Sequence, residues 1–119
     1  MNYVHPYHAK MEEALARGGD LYSFNDILDA IAEGKMQSFA ESDTWIVTQI
    51  QDYPKRRVLD VLYIAGNLNN VLDAYRRIID FACEHNCTLV RAHGRPGWSR
   101  FVEEYGWTAP AVVYHKEID

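Results

Sequence analysis

The stretch 58-VLDVLYIAGNLNNVLDAYRRIIDFA-82 decides the fold. From Val58 to Gly66 it is apolar almost without a break, as a strand is when both faces of its sheet are covered. Asp60 is the one acid inside that run. The period then changes to that of a helix. Val71, Leu72, Tyr75, Ile78, Ile79 and Ala82 fall on one stripe, with Asp73, Arg76, Arg77 and Asp80 outside it. A second strand pattern follows at Thr88–His93. Strand, helix and strand make a crossover unit, which predicts parallel strands joined with a right-handed turn.

Upstream of this unit, residues 36–42 and 44–51 alternate with period two, and Ser42-Asp43 between them suits a tight turn. Trp45, Val47 and Gln49 face one way on the second of these strands, and Ile46, Thr48 and Ile50 the other. The polar segment 52-DYPKRR-57 carries Pro54, which disfavours a continuing central strand. Three consecutive strands therefore predict an antiparallel meander. Two helices precede it. Residues 6–17 open on Pro6, carry Tyr7, Met11, Ala14 and Leu15 on one face, and end at Gly18-Gly19. Ser23 heads the second helix, with Asp26 as an imperfect capping box, an apolar face of Phe24, Ile27, Leu28 and Ile31, and Gly34 as the stop.

Downstream, Trp98, Phe101, Val102 and Tyr105 form a further helical stripe closed by Gly106, and 111-AVVYHKEI-118 reads as a last strand. The expected fold class is α/β: a mixed sheet with element order α-α-β-β-β-α-β-α-β and helices on both faces. The chain reads as one domain over 1–119, with a helical arm at 1–19 and a core at 20–118. Its 119 residues suffice for one hydrophobic core but not two.

Composition narrows the function classes. With 48% hydrophobic and 24% charged residues the chain is an ordinary globular one. A net charge of −5 argues against a general nucleic-acid binder. No apolar run approaches the roughly 20 residues that span a bilayer. The start, MNYVHPYHAK, lacks a hydrophobic signal region, so the expected folding compartment is the cytoplasm, without secretion or a membrane partner. The two cysteines sit in 83-CEHNC-87. That cluster is short of the ligand set zinc needs, so Cys83 reads as a small buried helix residue, Cys87 as the opening of a strand, and no metal is expected.

Among side chains that carry chemistry, Arg91, His93, Arg95 and Arg100 crowd together in sequence beside Trp98. Arg91, His93 and Arg95 would share a face on a regular strand. They form either an anion-binding or partner-docking patch, which guanidinium forks suit, or a strand-end cluster neutralised by acids such as Glu103 and Glu104. Pro96 and Gly97 permit a sharp start to the next helix. His93 has a suitable range for a base near neutral pH. No Ser or Cys nucleophile stands at a motif beside it, so a hydrolase has no specific support. Asp60 pairs with an arginine such as Arg91 on the neighbouring strand, lies at an edge, or serves as a base. The aromatics Tyr3, Tyr7 and Tyr22 of the N-terminal part can pack on the body or on another subunit.

From residue 20 onward the succession of elements resembles the GCN5-related N-acetyltransferase (GNAT) fold. The resemblance rests on 62-LYIAGNLNNVLDAYRR-77, on 88-TLVRAHG-94 and on 98-WSRFVEEYGW-107. In that family a glycine-containing loop and a helix N-terminus bind the pyrophosphate of acetyl-CoA, using unpaired N–H groups and the helix dipole. It thus implies a cofactor-binding loop at Gly66, Asn67, Leu68, Asn69 and Asn70, with Asn69 or Asn70 capping the helix. It also implies a V-shaped opening for the coenzyme between strands 58–65 and 88–93. Two features depart from the pattern of active members. The loop has one glycine and no cation, and the position of the usual tyrosine acid, four residues before Gly106, is Val102.

A second resemblance is carried by 33-EGKMQSFAESDTWIVTQIQDYP-54, 61-VLYIAGNL-68 and 94-GRPGW-98 with Gly106-Trp107. These segments resemble small GNAT-like proteins of tailed bacteriophages. That resemblance implies a virion structural, assembly or interaction component, located in the host cytoplasm and the virion. Its partners would be other phage structural or assembly proteins, or further copies of itself. It would have no cofactor and no acetyltransferase activity. The alternative is a divergent acyl-CoA-dependent N-acyltransferase with acetyl-CoA as cofactor.

Overall fold

A computed structural model describes residues 5–98 and 102–118. The elements run α1 (His8–Arg17), α2 (Phe24–Ala32), β1 (Gln37–Glu41), β2 (Thr44–Asp52), β3 (Arg57–Ala65), α3 (Leu68–Glu84) and β4 (Leu89–Ala92). A single 3-10 turn, Pro96–Trp98, follows them. The sheet order is β1-β2-β3-β4. The first three strands form the expected antiparallel meander, and β4 joins β3 in parallel, pairing Val58–Val61 with Leu89–Ala92.

The two faces of the sheet carry separate cores. Trp45, Val47, Tyr63 and Ala65 pack beneath Met11, Ala14 and Leu15 of α1 and Phe24 and Ile27 of α2. Ile46, Leu59, Val61 and Ile64 pack beneath Ala74, Ile78 and Ala82 of α3 on the other side. The alternation read along β2 is therefore realised. On β3 it is interrupted. Val47 pairs with Tyr63 but Thr48 pairs with Val61, so Leu62 is one extra residue, a β-bulge. Val58 and Asp60 thus share a face with Tyr63 and Ala65, while Leu59 and Val61 share one with Ile64. The bulge also marks where β3 leaves β4. Pairing ends at Val61–Ala92, and the last bond is the His93 N–H donating to the Val61 carbonyl at 3.2 Å.

The capping box on α2 is complete. Ser23 Oγ accepts from the Asp26 N–H at 3.1 Å, and the Asp26 carboxylate accepts from the Ser23 N–H at 2.9 Å. The Asp26 carboxyl is accordingly held below its usual range by these bonds, first by the Ser23 backbone N–H. Helix α1 begins at His8 rather than Pro6, because Tyr7 takes the N-cap position. From there its ring stacks on Trp45 with 5.7 Å between centroids, and Tyr22 meets Tyr63 edge-on at 6.3 Å. Tyr3 lies outside the described residues.

Several expectations need correction. No strand forms at 111–118 among the described residues. Alternation fixes which side chains share a face, but strand formation also needs a partner edge, and this segment lies against none. Cys83 is exposed rather than buried. It projects on the Arg76 and Asp80 side of α3, one residue past the sheet-facing Ala82. Cys87 is half-buried and precedes β4, which starts at Leu89; burial pushes its thiol upward. The buried stripe of α3 includes Ala74, its most deeply buried residue, a position the apolar pattern passes over because alanine contributes little to it. Of the helix expected at 98–106, Trp98 lies in the 3-10 turn, residues 99–101 are outside the described set, and a helical turn closes at Gly106 with φ +85°.

Candidate functional site

The site is built where the antiparallel and parallel halves of the sheet part. Gly66 joins β3 to α3 and runs hard against Thr44 at the start of β2. A Cβ added at Gly66 would overlap the Thr44 hydroxyl and lie 2.8 Å from its Cα. Thr44 is fully buried, and its Oγ1 accepts from the Asn67 N–H at 3.1 Å and from Asn70 Nδ2 at 3.0 Å. Asn67 itself is the N-cap of α3: its Oδ1 accepts from the Asn70 N–H at 3.1 Å. The cap therefore lies two residues earlier than Asn69, the first of the two positions expected, and Asn70 is a donor to it. Leu68 is half-buried and Asn69 exposed.

A carboxylate completes this network. Asn70 Nδ2 donates to Asp43 Oδ1 at 2.8 Å, and Asp43 Oδ2 meets Lys10 Nζ of α1 at 2.8 Å. Lys10 also donates to the Asp43 carbonyl at 3.0 Å. The Lys10 ammonium hydrogen-bonded to it holds the Asp43 carboxyl below the usual range. A depressed carboxyl stabilises the fold above its unfolded pKa of about 4, and that contribution disappears as pH falls through the lower folded value. Asp43→Asn is therefore expected to flatten the acid limb of a stability–pH curve. Urea midpoints of wild type and variant, compared below about pH 4, should converge; parallel curves would show that the pair contributes nothing.

Arg95 arrives from the loop after β4. Its Nη2 donates to the Gly66 carbonyl at 3.3 Å, and its guanidinium lies 5.1 Å from the Trp98 ring centroid. Trp98 packs in turn on the α3 side of the sheet. Lys10, Glu13, Gly66, Asn67 and Arg95 thus line a cleft of about 260 Å³ at the mouth between the diverging strands. The loop itself has no cation, yet the fold brings two to it. Sequence reasoning missed Lys10, Asp43 and Thr44 here, because only the packing of α1 and the β1–β2 turn places them beside residue 66.

The other candidates lie elsewhere. Arg91 is on β4 with its fork on Asp60, Nε to Oδ1 at 2.7 Å and Nη2 to Oδ2 at 2.9 Å. Nη2 also donates to the Tyr53 hydroxyl at 2.8 Å. Asp60 is 3% exposed, and both its oxygens accept from this arginine. The bonds to Asp60 push the Arg91 guanidinium further up, so it is a fixed cation. His93 is exposed just past the strand end, so the regular alternation with Arg91 and Arg95 is not kept. Arg91 and Arg95 have different partners, and Arg100 lies outside the described residues. Val102 is half-buried at the start of the turn that closes at Gly106, where its carbonyl accepts from the Tyr105 N–H at 3.0 Å. The Tyr105 ring packs beside Tyr75, 5.8 Å away.

No known family profile matches this sequence, and no curated protein matches it. Solved structures do. The chain superposes on a Trypanosoma brucei acetyltransferase with TM-score 0.66 and 11% identity, covering 98% of this chain and 97% of that one. A glucosamine-6-phosphate N-acetyltransferase from Arabidopsis thaliana gives 0.61 at 11% identity, covering 99% and 97%. A Thermus thermophilus protein gives 0.60 at 13%, covering 93% and 92%. The class is thereby defined: the chain has a GNAT-like fold, a mixed sheet with helices on both faces. At such identities the likeness establishes that fold and nothing of activity.

Proposed function

We propose that this protein is a phage-encoded GNAT-fold component of the virion or its assembly, working by binding other proteins rather than by transferring an acetyl group. One observation carries the non-catalytic part. The start of α3 is engaged from within: Thr44 takes the Asn67 N–H, Asn67 takes the Asn70 N–H, and the Asp43 carboxylate takes the Asn70 side chain. Two of the backbone donors at this helix start, those of Asn67 and Asn70, thus have partners within the chain, and a carboxylate paired with Lys10 stands beside them. These contacts support a reading in which acetyl-CoA is not held at this helix start. The half-buried Val102, in the position of the family's tyrosine acid, adds to that reading. The virion part rests on the sequence resemblance to phage proteins.

A competing reading, a divergent acyl-CoA-dependent N-acyltransferase, is favoured by the two cations, Lys10 and Arg95, at the cleft. Thermal denaturation with acetyl-CoA up to about 1 mM decides between them. The expected result is no saturable rise in Tm. A ligand with Kd near 10 μM would add about 2.7 kcal/mol, several degrees for a domain of this size, and a rise of that kind would overturn the proposal. Mass spectrometry of purified particles tests the virion assignment: the polypeptide is expected among the particle proteins.

A further inference from the structure

The α1/α2 layer lies over Trp45, Val47, Tyr63 and Ala65, at one end of its face of the sheet. At the other end of that face, Val58 and Leu89 floor an open groove of about 400 Å³, walled by Tyr53 and Pro54 and rimmed by Lys55 and Arg56. Tyr53 is 47% exposed and Leu89 38% exposed, so apolar surface is within reach of a partner. Val58 lies eight residues along β3 from Gly66, about 25 Å away, which separates this groove from the cleft at α3.

The loop that walls the groove is fixed from within. The Tyr53 N–H donates to the Arg56 carbonyl at 3.0 Å and closes the turn. The Tyr53 hydroxyl accepts from Arg91 Nη2 at 2.8 Å, and the Arg91 guanidinium lies 5.4 Å from the Tyr53 ring centroid. Arg56 donates to the Thr88 carbonyl at 2.7 Å and to Thr88 Oγ1 at 3.2 Å. A wall already in place lowers the ordering cost of binding. Charge sets the groove apart as well. In a chain of net charge −5, Lys10, Lys35, Arg57, Arg76, Arg77 and Arg91 each meet a carboxylate. Lys55 and Arg56 meet none among the described residues, and the partners of Arg56 are neutral.

We infer that this groove takes an acidic segment of a partner protein, with an apolar side chain laid on Val58 and Leu89 and carboxylates on Lys55 and Arg56. Charge complementarity selects that occupant, because two adjacent cations without acids repel a basic partner and attract an acidic one. The apolar floor offers few polar groups to nucleotide bases but suits a Leu or Phe between acids. An open groove also fits a segment passing across it better than an enclosed small molecule. The inference rests on the reading of this protein as one that binds other proteins.

Amide chemical shifts of the full chain, titrated with the peptide acetyl-Glu-Asp-Leu-Phe-Glu-Asp-amide at about 50 mM salt, test it. Saturable shifts are expected at residues 53–58 and 89–91 with Kd below about 1 mM, weakening at least about threefold at about 300 mM salt. Lys55→Glu should weaken binding at least about fivefold with unchanged circular dichroism, since that side chain is exposed. Lys55→Glu with Arg56→Glu should instead prefer the same peptide with Lys at every acidic position. An absence of shifts at about 2 mM peptide would overturn the inference. So would equal affinity of the wild type for the lysine peptide, or indifference to Lys55→Glu. A single DNA strand of about twelve nucleotides that binds there more tightly than the peptide would assign the cations to nucleic acid and overturn it too. A rise in Tm with acetyl-CoA would overturn the non-catalytic reading at the far end of β3 while leaving these shifts in place, so the two failures are distinguishable.

Discussion

Gly66→Ala should be the most damaging single substitution in this protein, lowering stability by about 3 kcal/mol, or on the order of 10 °C in Tm. The reason is contact with backbone. The added methyl would overlap the Thr44 hydroxyl and meet Thr44 Cα at 2.8 Å, so no rotamer change clears it. Thr44 cannot retreat, since it is fully buried, pairs with Glu41 across the β1–β2 turn and accepts two hydrogen bonds from the start of α3. Backbone conformation adds to the cost, because Gly66 sits at φ +152°. Thr44→Ala in the same chain removes the hydroxyl but leaves Cα and Cβ in place. The double variant should therefore recover only part of the loss, which a two-by-two cycle of urea midpoints would show. A Gly66→Ala protein within about 0.5 kcal/mol of wild type would mean that β3 and β2 can separate at this point, contrary to the packing described.

The second large effect is expected at Arg91→Met. Asp60 is 3% exposed on β3, and both its oxygens are held by the Arg91 fork. Removing the cation strands a carboxylate beneath the sheet surface. A fully buried pair broken in this way loses about 3–5 kcal/mol, but Arg91 is nearly half exposed and water can enter in its place, so about 2–3 kcal/mol is expected. The converse experiment separates charge from packing. Asp60→Val with Arg91→Met puts apolar groups on both partners and should restore most of the stability, since pairs replaced together often cost little. Arg91→Lys should fall between, keeping the charge but losing the two-pronged geometry. A loss below about 0.5 kcal/mol for Arg91→Met would show the pair to be no better than a surface one.

The features legible in the sequence are those set by local period and by a single out-of-pattern residue. Continuous apolarity at 58–66 marks a doubly covered strand, alternation at 44–51 marks the faces of β2, and Asp60 in an apolar strand marks a need for a cation, met by Arg91. The limits are equally physical. Leu62 is indistinguishable from its neighbours in composition, so the bulge leaves no trace in the pattern. Ala74 contributes too little hydrophobicity to show as the most deeply buried residue of its helix. The cleft is illegible because Lys10, Asp43, Thr44, Gly66 and Arg95 are spread along the chain, and only the finished sheet brings them together. The strand pattern at 111–118 is plain, but a pattern records a capacity to pair and not the pairing.

The extra residue at Leu62 bears on how this gene can change over time. It inverts the parity of β3, so that even-numbered positions before it and odd-numbered positions after it share the face of the sheet on which α1 and α2 lie. Loss or gain of one codon anywhere between Val58 and Ala65 would carry Asp60 under α3, or Tyr63 out of its aromatic neighbourhood. Length variation among descendants should accordingly be purged from this strand while remaining acceptable in the exposed loop at 53–56, even where individual side chains drift freely.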